Sequence, residues 1–187
     1  MIENRQDDLT ITRPEFLSED SDEKFRSFIY SLLISSVQME KLREQIGGLI
    51  GVNGIQYHIL TVIAEKTLKD PLQGQITVGD VARTLQAGAT HITMETGKLA
   101  KRGLLEKTPN PEDRRSILLT LSDKGRAALR SLAPSRQEIN NTIFDGFNKD
   151  EFESFHKLIS KMVGTTSKAI VVADKIKAEQ SMLGTAA

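Results

Sequence analysis

His91 and Glu95 stand four residues apart in a stretch with helical periodicity, a spacing that puts two side chains on one helix face, where they can grip a metal ion. A metal site needs a third ligand. The other histidines, His58 and His156, lie far off in sequence, and no ligand motif surrounds His91. Cysteine is absent, which excludes disulfides, thiolate metal ligation and cysteine redox sensing. There is no P-loop, no GxGxxG turn and no nucleophile elbow. An enzyme is therefore the weakest reading, and no cofactor or metal is expected.

The same stretch suits a different chemistry. Thr90, His91 and Thr93 are short polar groups that can hydrogen-bond base edges in a major groove. Lys98, Lys101 and Arg102 follow one to two turns later, and cations there can neutralise phosphates. Further on, TPNPEDRRS holds Arg114 and Arg115, and a guanidinium on a loop can enter a narrow minor groove. Asp113, two residues before Arg115, is expected to pair with that guanidinium and fix the loop.

The elements that must position these groups can be read from caps and periods. Thr77 caps a helix with Val78, Val81, Ala82 and Leu85 on one face, and Asp80 sits three residues after the cap. Ala87-Gly88-Ala89 lets the chain turn, with Gly88 free to take positive φ. Thr90 caps a second helix to about Arg102, ended by Gly103. Ile92, Leu99 and either Met94 or Thr96 pack inward, and Glu95 is placed among the more exposed residues, accepting from a cytosine amino group or sitting outside the DNA face paired with Lys98 or Lys101. Two strands, Leu104 to Lys107 and Ser116 to Leu121, flank a connecting wing from Thr108 to Arg115. The order helix, turn, helix, strand, wing, strand is that of a winged helix-turn-helix.

Charge follows the same division. The 187-residue chain has zero formal net charge, 39% hydrophobic and 27% charged residues, ordinary values for a soluble globular protein. Between Thr77 and Arg130 ten basic residues face six acidic ones, a net of +4; Met1 to Phe28 holds four against eight, a net of −4. The basic excess coincides with the wing and its helices, as expected for a duplex-binding surface. A winged helix that binds protein instead of DNA is the alternative, favoured by Glu95 and the zero overall charge.

The run from Thr77 to Gly125, including KRGLLEKTPNPEDRRSILLTLSDKG, closely resembles the MarR (multiple antibiotic resistance regulator) family of transcription factors. The resemblance rests on Asp113 and Arg115 in the wing, on Leu119-Thr120-Leu121-Ser122-Asp123-Lys124-Gly125, and on the exit Lys101-Arg102-Gly103-Leu104; it extends over roughly residues 22 to 163. It implies a mainly α fold with a small β-wing, a homodimer built by N- and C-terminal helices, and binding to a palindromic operator in double-stranded DNA. It also implies response to a small anionic or aromatic effector, in a pocket to which Tyr30, Gln56, Tyr57 and His58 would contribute. The sequence departs from the family where an Arg and an aliphatic pair often sit mid-helix: here Met94, Glu95, Thr96 and Gly97 stand there.

The flanks fit this plan. Residues 1–20 are polar and expected to be a mobile arm, residues 21–52 and 126–180 a helical dimerisation region, and 53–125 the winged-helix domain. A helix from near Ser21 carries Phe25, Phe28, Ile29, Leu32, Leu33, Val37 and Leu42 toward Gly47-Gly48. Asn53 caps another to Lys66, and Thr67 to Gln75 is expected as a surface loop. Apolar residues recur through Leu129, Leu132, Ile139 and Ile143, are interrupted by Pro134, and resume from Lys149 with Phe152, Phe155, Leu158, Ile159, Met162 and Val163. No apolar run reaches eighteen residues, and the N-terminus lacks a signal-like pattern, so a cytoplasmic protein with no membrane partner is expected.

Overall fold

The computed structural model describes residues 8–69 and 75–184. Two compact units divide the chain, Met1–Arg136 and Gln137–Ala187. The first holds α1 (Glu23–Gly48), α2 (Gly54–Lys69), β1 (Ile76–Thr77), α3 (Val78–Thr84), α4 (Ala89–Lys101), β2 (Leu105–Pro109), β3 (Ile117–Leu121) and α5 (Asp123–Ser131). Helix α6 (Ala133–Ile143) spans the division, and α7 (Lys149–Gly184) belongs to the second unit.

Helix α2 is the hub of the first unit. Its Ile59, Leu60 and Ile63 are fully buried, as are Val81 of α3, Ile92 and Leu99 of α4, and Leu119 of β3. Burying each such side chain contributes about 2 kcal/mol, so this one cluster dominates the stability of the lobe. The antiparallel sheet has the order β1-β3-β2, with Leu105 opposite Leu121 and Ile76 opposite Leu119. Asn53 starts α2 as expected, its Oδ1 accepting from the Gln56 N–H at 2.9 Å. The turn from α1 into α2 is tight: Gly51 has φ +70°, and a Cβ on Gly47 would stand 2.8 Å from the Val52 carbonyl.

Two local expectations are corrected. The arm is not loose over residues 8–20: Thr10 donates through both its N–H and its hydroxyl to Asp22 at 2.7 and 2.6 Å, and Phe16 packs on Phe25. Asp22 is therefore engaged with the arm through Oδ2 and with Arg26 through Oδ1, and the Glu23 N–H at the start of α1 donates to the Ser21 hydroxyl. The stretch expected as a loop from Thr67 begins as helix, since α2 continues to Lys69; residues 70–74 lie outside the described residues. The interruption expected at Pro134 is present: α5 ends at Ser131, α6 starts at Ala133, and Pro134 sits in its first turn, where its missing N–H has no partner to lose.

In the second unit α7 runs 36 residues. Asn148 caps it with a reciprocal pair: its Oδ1 accepts from the Glu151 N–H, and Glu151 accepts from the Asn148 N–H. Phe144, Phe147, Phe152 and Phe155 form a chain of edge-to-face contacts at its start. Phe152, Leu158, Val163, Ile170 and Ile176 remain exposed along it.

Candidate nucleic-acid interface

Helices α3 and α4 form the helix-turn-helix. Thr77 makes a full capping box with Asp80: the hydroxyl accepts from the Asp80 N–H, and the carboxylate accepts from the Thr77 N–H. The Thr77 hydroxyl bond and the Arg83 guanidinium hold the Asp80 carboxyl below its usual range. The turn itself differs from expectation. Gly88 has φ −63° and acts as the N-cap of α4, while the left-handed residue is Gln86 at φ 49°. Thr90 consequently lies inside the first turn rather than at the cap.

On α4 the exposed face carries Thr90, His91, Thr93, Met94 and, one turn on, Lys98 and Lys101. Thr93 donates its hydroxyl to the Ala89 carbonyl, leaving its lone pairs facing out. Gly97 shares this side of the helix, and a Cβ built on it would meet nothing within 4 Å. Met94 is 51% exposed, so the inward residue of the pair Met94 and Thr96 is Thr96.

Glu95 reverses its expected place. It is 2% exposed and turned toward α2, where Gln56 Nε2 donates to its Oε2 at 2.8 Å. Lys98 Nζ donates to Oε1 at 2.6 Å. The Lys98 bond first, then the Gln56 bond, lower the carboxyl pKa against the opposing effect of burial. Glu95 is thus an ionised, fully partnered internal group, and His91 with Glu95 is not a metal pair: one is exposed, the other committed to Gln56 and Lys98. Among the described residues no three His, Asp or Glu side chains gather in a way that could hold a metal ion.

Arg102 is also tied inward. Its guanidinium donates to the Gly51 carbonyl at 2.6 Å, bridging the end of α4 to the α1–α2 turn. Gly103, at φ +72°, ends the helix as expected.

The wing joins β2 to β3. Asn110 and Ser116 face each other across its mouth, with Asn110 Nδ2 donating to Ser116 Oγ at 2.9 Å. Asp113 does fix the turn, by a different bond from the expected one: its Oδ1 accepts from the backbone N–H of Arg115 at 3.0 Å, and its carbonyl accepts from the Ser116 N–H. A carboxylate two residues back reaches a backbone amide more readily than a guanidinium at the end of a long chain. Among the described residues the side chains of Arg114 and Arg115 make no ion pair, and both are exposed.

The base of the wing explains the run Leu121-Ser122-Asp123-Lys124-Gly125. Ser122 caps α5, accepting from the Gly125 N–H and donating to the Gly103 carbonyl at 2.6 Å. Gly125 lies directly over the Leu104 carbonyl, where an added Cβ would be 2.1 Å away. Only glycine permits that approach.

The four residues expected to contact an effector are not brought together as one lining. Tyr30 is 65% exposed on α1, Gln56 and Tyr57 are buried on α2, and His58 faces α1, where Arg43 donates to its Nδ1 at 2.8 Å. Gln56 is committed to Glu95.

This arrangement defines a class: a winged helix-turn-helix with one exposed polar helix face and a wing that carries two exposed arginines. A family model for the winged helix DNA-binding domain matches residues 52–125. The chain is 26% identical over 111 residues to an uncharacterised HTH-type transcriptional regulator of Bacillus subtilis, YwhA, covering 59% of this chain and 75% of the relative. It superposes on a probable transcriptional regulator from Pseudomonas aeruginosa with a TM-score of 0.56 and 27% identity, over 72% of this chain and 96% of that one. It shares its fold with a mutant MarR from Escherichia coli complexed with operator DNA, at a TM-score of 0.60 and 21% identity, over 76% and 99% of the two chains. The chain carries a winged helix DNA-binding domain, is similar to HTH-type transcriptional regulators, and shares its fold with MarR.

Proposed function

We propose that this protein is a sequence-specific regulator that binds a palindromic operator as a homodimer and represses until a small effector releases it. The observation that supports it best is the combination of an outward polar face on α4, Thr90, His91, Thr93 and Lys101, with the exposed guanidinium groups of Arg114 and Arg115 on the wing, which make no ion pair among the described residues. In this reading α4 enters a major groove and the wing the adjacent minor groove. The dimer accounts for the apolar residues that a single chain leaves exposed: Phe28, Leu33, Ile34 and Val37 on α1, and Phe152, Leu158 and Ile170 on α7. Twofold symmetry then sets half-sites a helical turn or a multiple of it apart.

The effector is a small anionic or aromatic molecule in this reading, with His58 and Tyr30 as the residues still open to it. No helix among the described residues is long and apolar enough to cross a membrane, and a regulator of this kind works where the chromosome lies, in the cytoplasm.

Selection from random duplexes tests the reading. A palindromic consensus bound with steep salt dependence is expected; salt-insensitive or absent binding overturns DNA recognition and leaves a protein-binding winged helix. Sedimentation of the free protein tests the dimer separately.

A further inference from the structure

We infer that Glu95 is a positioning residue that locks the reading helix to α2 and withholds Lys98 from the DNA backbone. The inference rests on the DNA-binding reading and refines it, because Lys98 by sequence is a phosphate contact. Both Glu95 oxygens are used: Oε2 by Gln56 of α2, Oε1 by Lys98 one turn along α4. Gln56 is anchored in turn, its own N–H donating to Asn53 Oδ1 and its Oε1 receiving the Asn53 N–H at 3.4 Å. A carboxylate that is 2% exposed has given up nearly all its water, so its counter-charge cannot leave without exposing an unpaired buried anion. The Lys98 side chain is half exposed, with its ammonium end held by Glu95. Glu95 and Lys98 together are neutral, and a neutral pair releases no counterion from a duplex. The rotation of α4 about its axis is then fixed by two polar ties to the α1–α2 region, Gln56 to Glu95 and Arg102 to the Gly51 carbonyl.

Operator affinity measured against salt tests this. Glu95→Gln keeps a carbonyl oxygen for Gln56 while removing the charge that holds Lys98. Its log–log salt slope should steepen by about 0.9, the share of one phosphate contact. Adding Lys98→Met to that variant should return the slope to the wild-type value. If Lys98 contacts phosphate in the native protein, Glu95→Gln leaves the slope unchanged and the double variant falls below wild type by about 0.9, which overturns the inference. Gln56→Leu should keep the wild-type slope and lower the ratio of operator to scrambled-site affinity about tenfold; an unchanged ratio removes the positioning role. A measurement without DNA stands beside these. The Lys98 ammonium protons should give a slowly exchanging NMR signal in the native protein that is lost in Glu95→Gln, and its absence from the native spectrum overturns the pair. Should the native protein bind no duplex, the DNA reading fails while this signal still decides the pair.

Discussion

The reading helix and the wing present cations in opposite ways. On α4, Lys98 is held by Glu95 and Arg102 by the Gly51 carbonyl, leaving Lys101 as its outward cation. On the wing the backbone is tied by Asp113, Asn110 and Ser116, while Arg114 and Arg115 extend from it without ion pairs among the described residues. The helix thus spends its charges on its own placement, and the wing spends backbone bonds to keep its charges available. On the proposed docking the two wing arginines supply close phosphate and minor-groove contacts, and discrimination between sequences falls to the short polar groups near the start of α4.

The largest effect expected concerns what seats the wing. Gly125 lies against the Leu104 carbonyl with no room for a methyl group. Gly125→Ala should cost about 3 kcal/mol of unfolding free energy, since backbone must move to admit the new carbon. Urea unfolding measures it; a loss under about 0.5 kcal/mol means the wing base shifts freely and its seating is not fixed there.

Next in size is removal of the wing cations. Arg114→Ala with Arg115→Ala should lower operator affinity on the order of 100-fold and make the salt slope shallower by about 1.8, with the dimer intact by sedimentation. Because neither side chain is part of the turn's own bonding, the melting temperature should stay put. If Lys101→Ala alone has the larger effect, the division between helix and wing is wrong.

How far this division was legible in the sequence depends on the reach of each bond. The Thr77–Asp80 box, the Gly103 stop and the Ser122 cap of α5 lie within three or four residues of their partners, so spacing reveals or fits them. Glu95 was misplaced because its partner Gln56 is 39 residues away, and because a carboxylate in a basic stretch reads as solvent-facing. A signal was present: Ile92 and Leu99 are both buried seven residues apart, and the positions between them on that face are 95 and 96. The Asp113 bond was seen as a pairing but assigned to the wrong donor, since an Asx turn and an ion pair share the same spacing. The Ala87-Gly88-Ala89 turn was placed two residues late because the left-handed residue is Gln86, which type alone does not announce.

A smaller effect belongs to the exposed side of α4. Gly97 has open space where a side chain would be, so Gly97→Ala should raise stability by about 1 kcal/mol through helix propensity alone. Glycine there lets the helix backbone come close to whatever lies against it. On the proposed docking the added methyl meets the duplex, and operator affinity should fall about fivefold in a protein that melts higher. Higher stability with unchanged affinity places the duplex on another face.

The smallest effect lies at the α1 end of the tied region. Arg43 donates to His58 Nδ1, and burial first, then the Arg43 charge, push the His58 pKa below its ordinary 6.5. The folded protein therefore holds this ring neutral, with its proton on Nε2. In the unfolded chain the ring takes up a proton as pH drops below about 6.5, before the folded form does, so the unfolded state binds more protons there. The stability due to neutral His58 is complete above that pH and is lost as pH falls toward the depressed folded value. Protonation would also break the Arg43 bond and set two cations together, where Arg43 Nε is already buried with no hydrogen-bond partner among the described residues. The stability gap between the native protein and His58→Gln should accordingly narrow between pH 7.5 and pH 5.5, roughly one unit either side of the free imidazole value. A gap that stays constant shows that α1 and α2 are not joined through this ring, and the tied region then ends at Gln56.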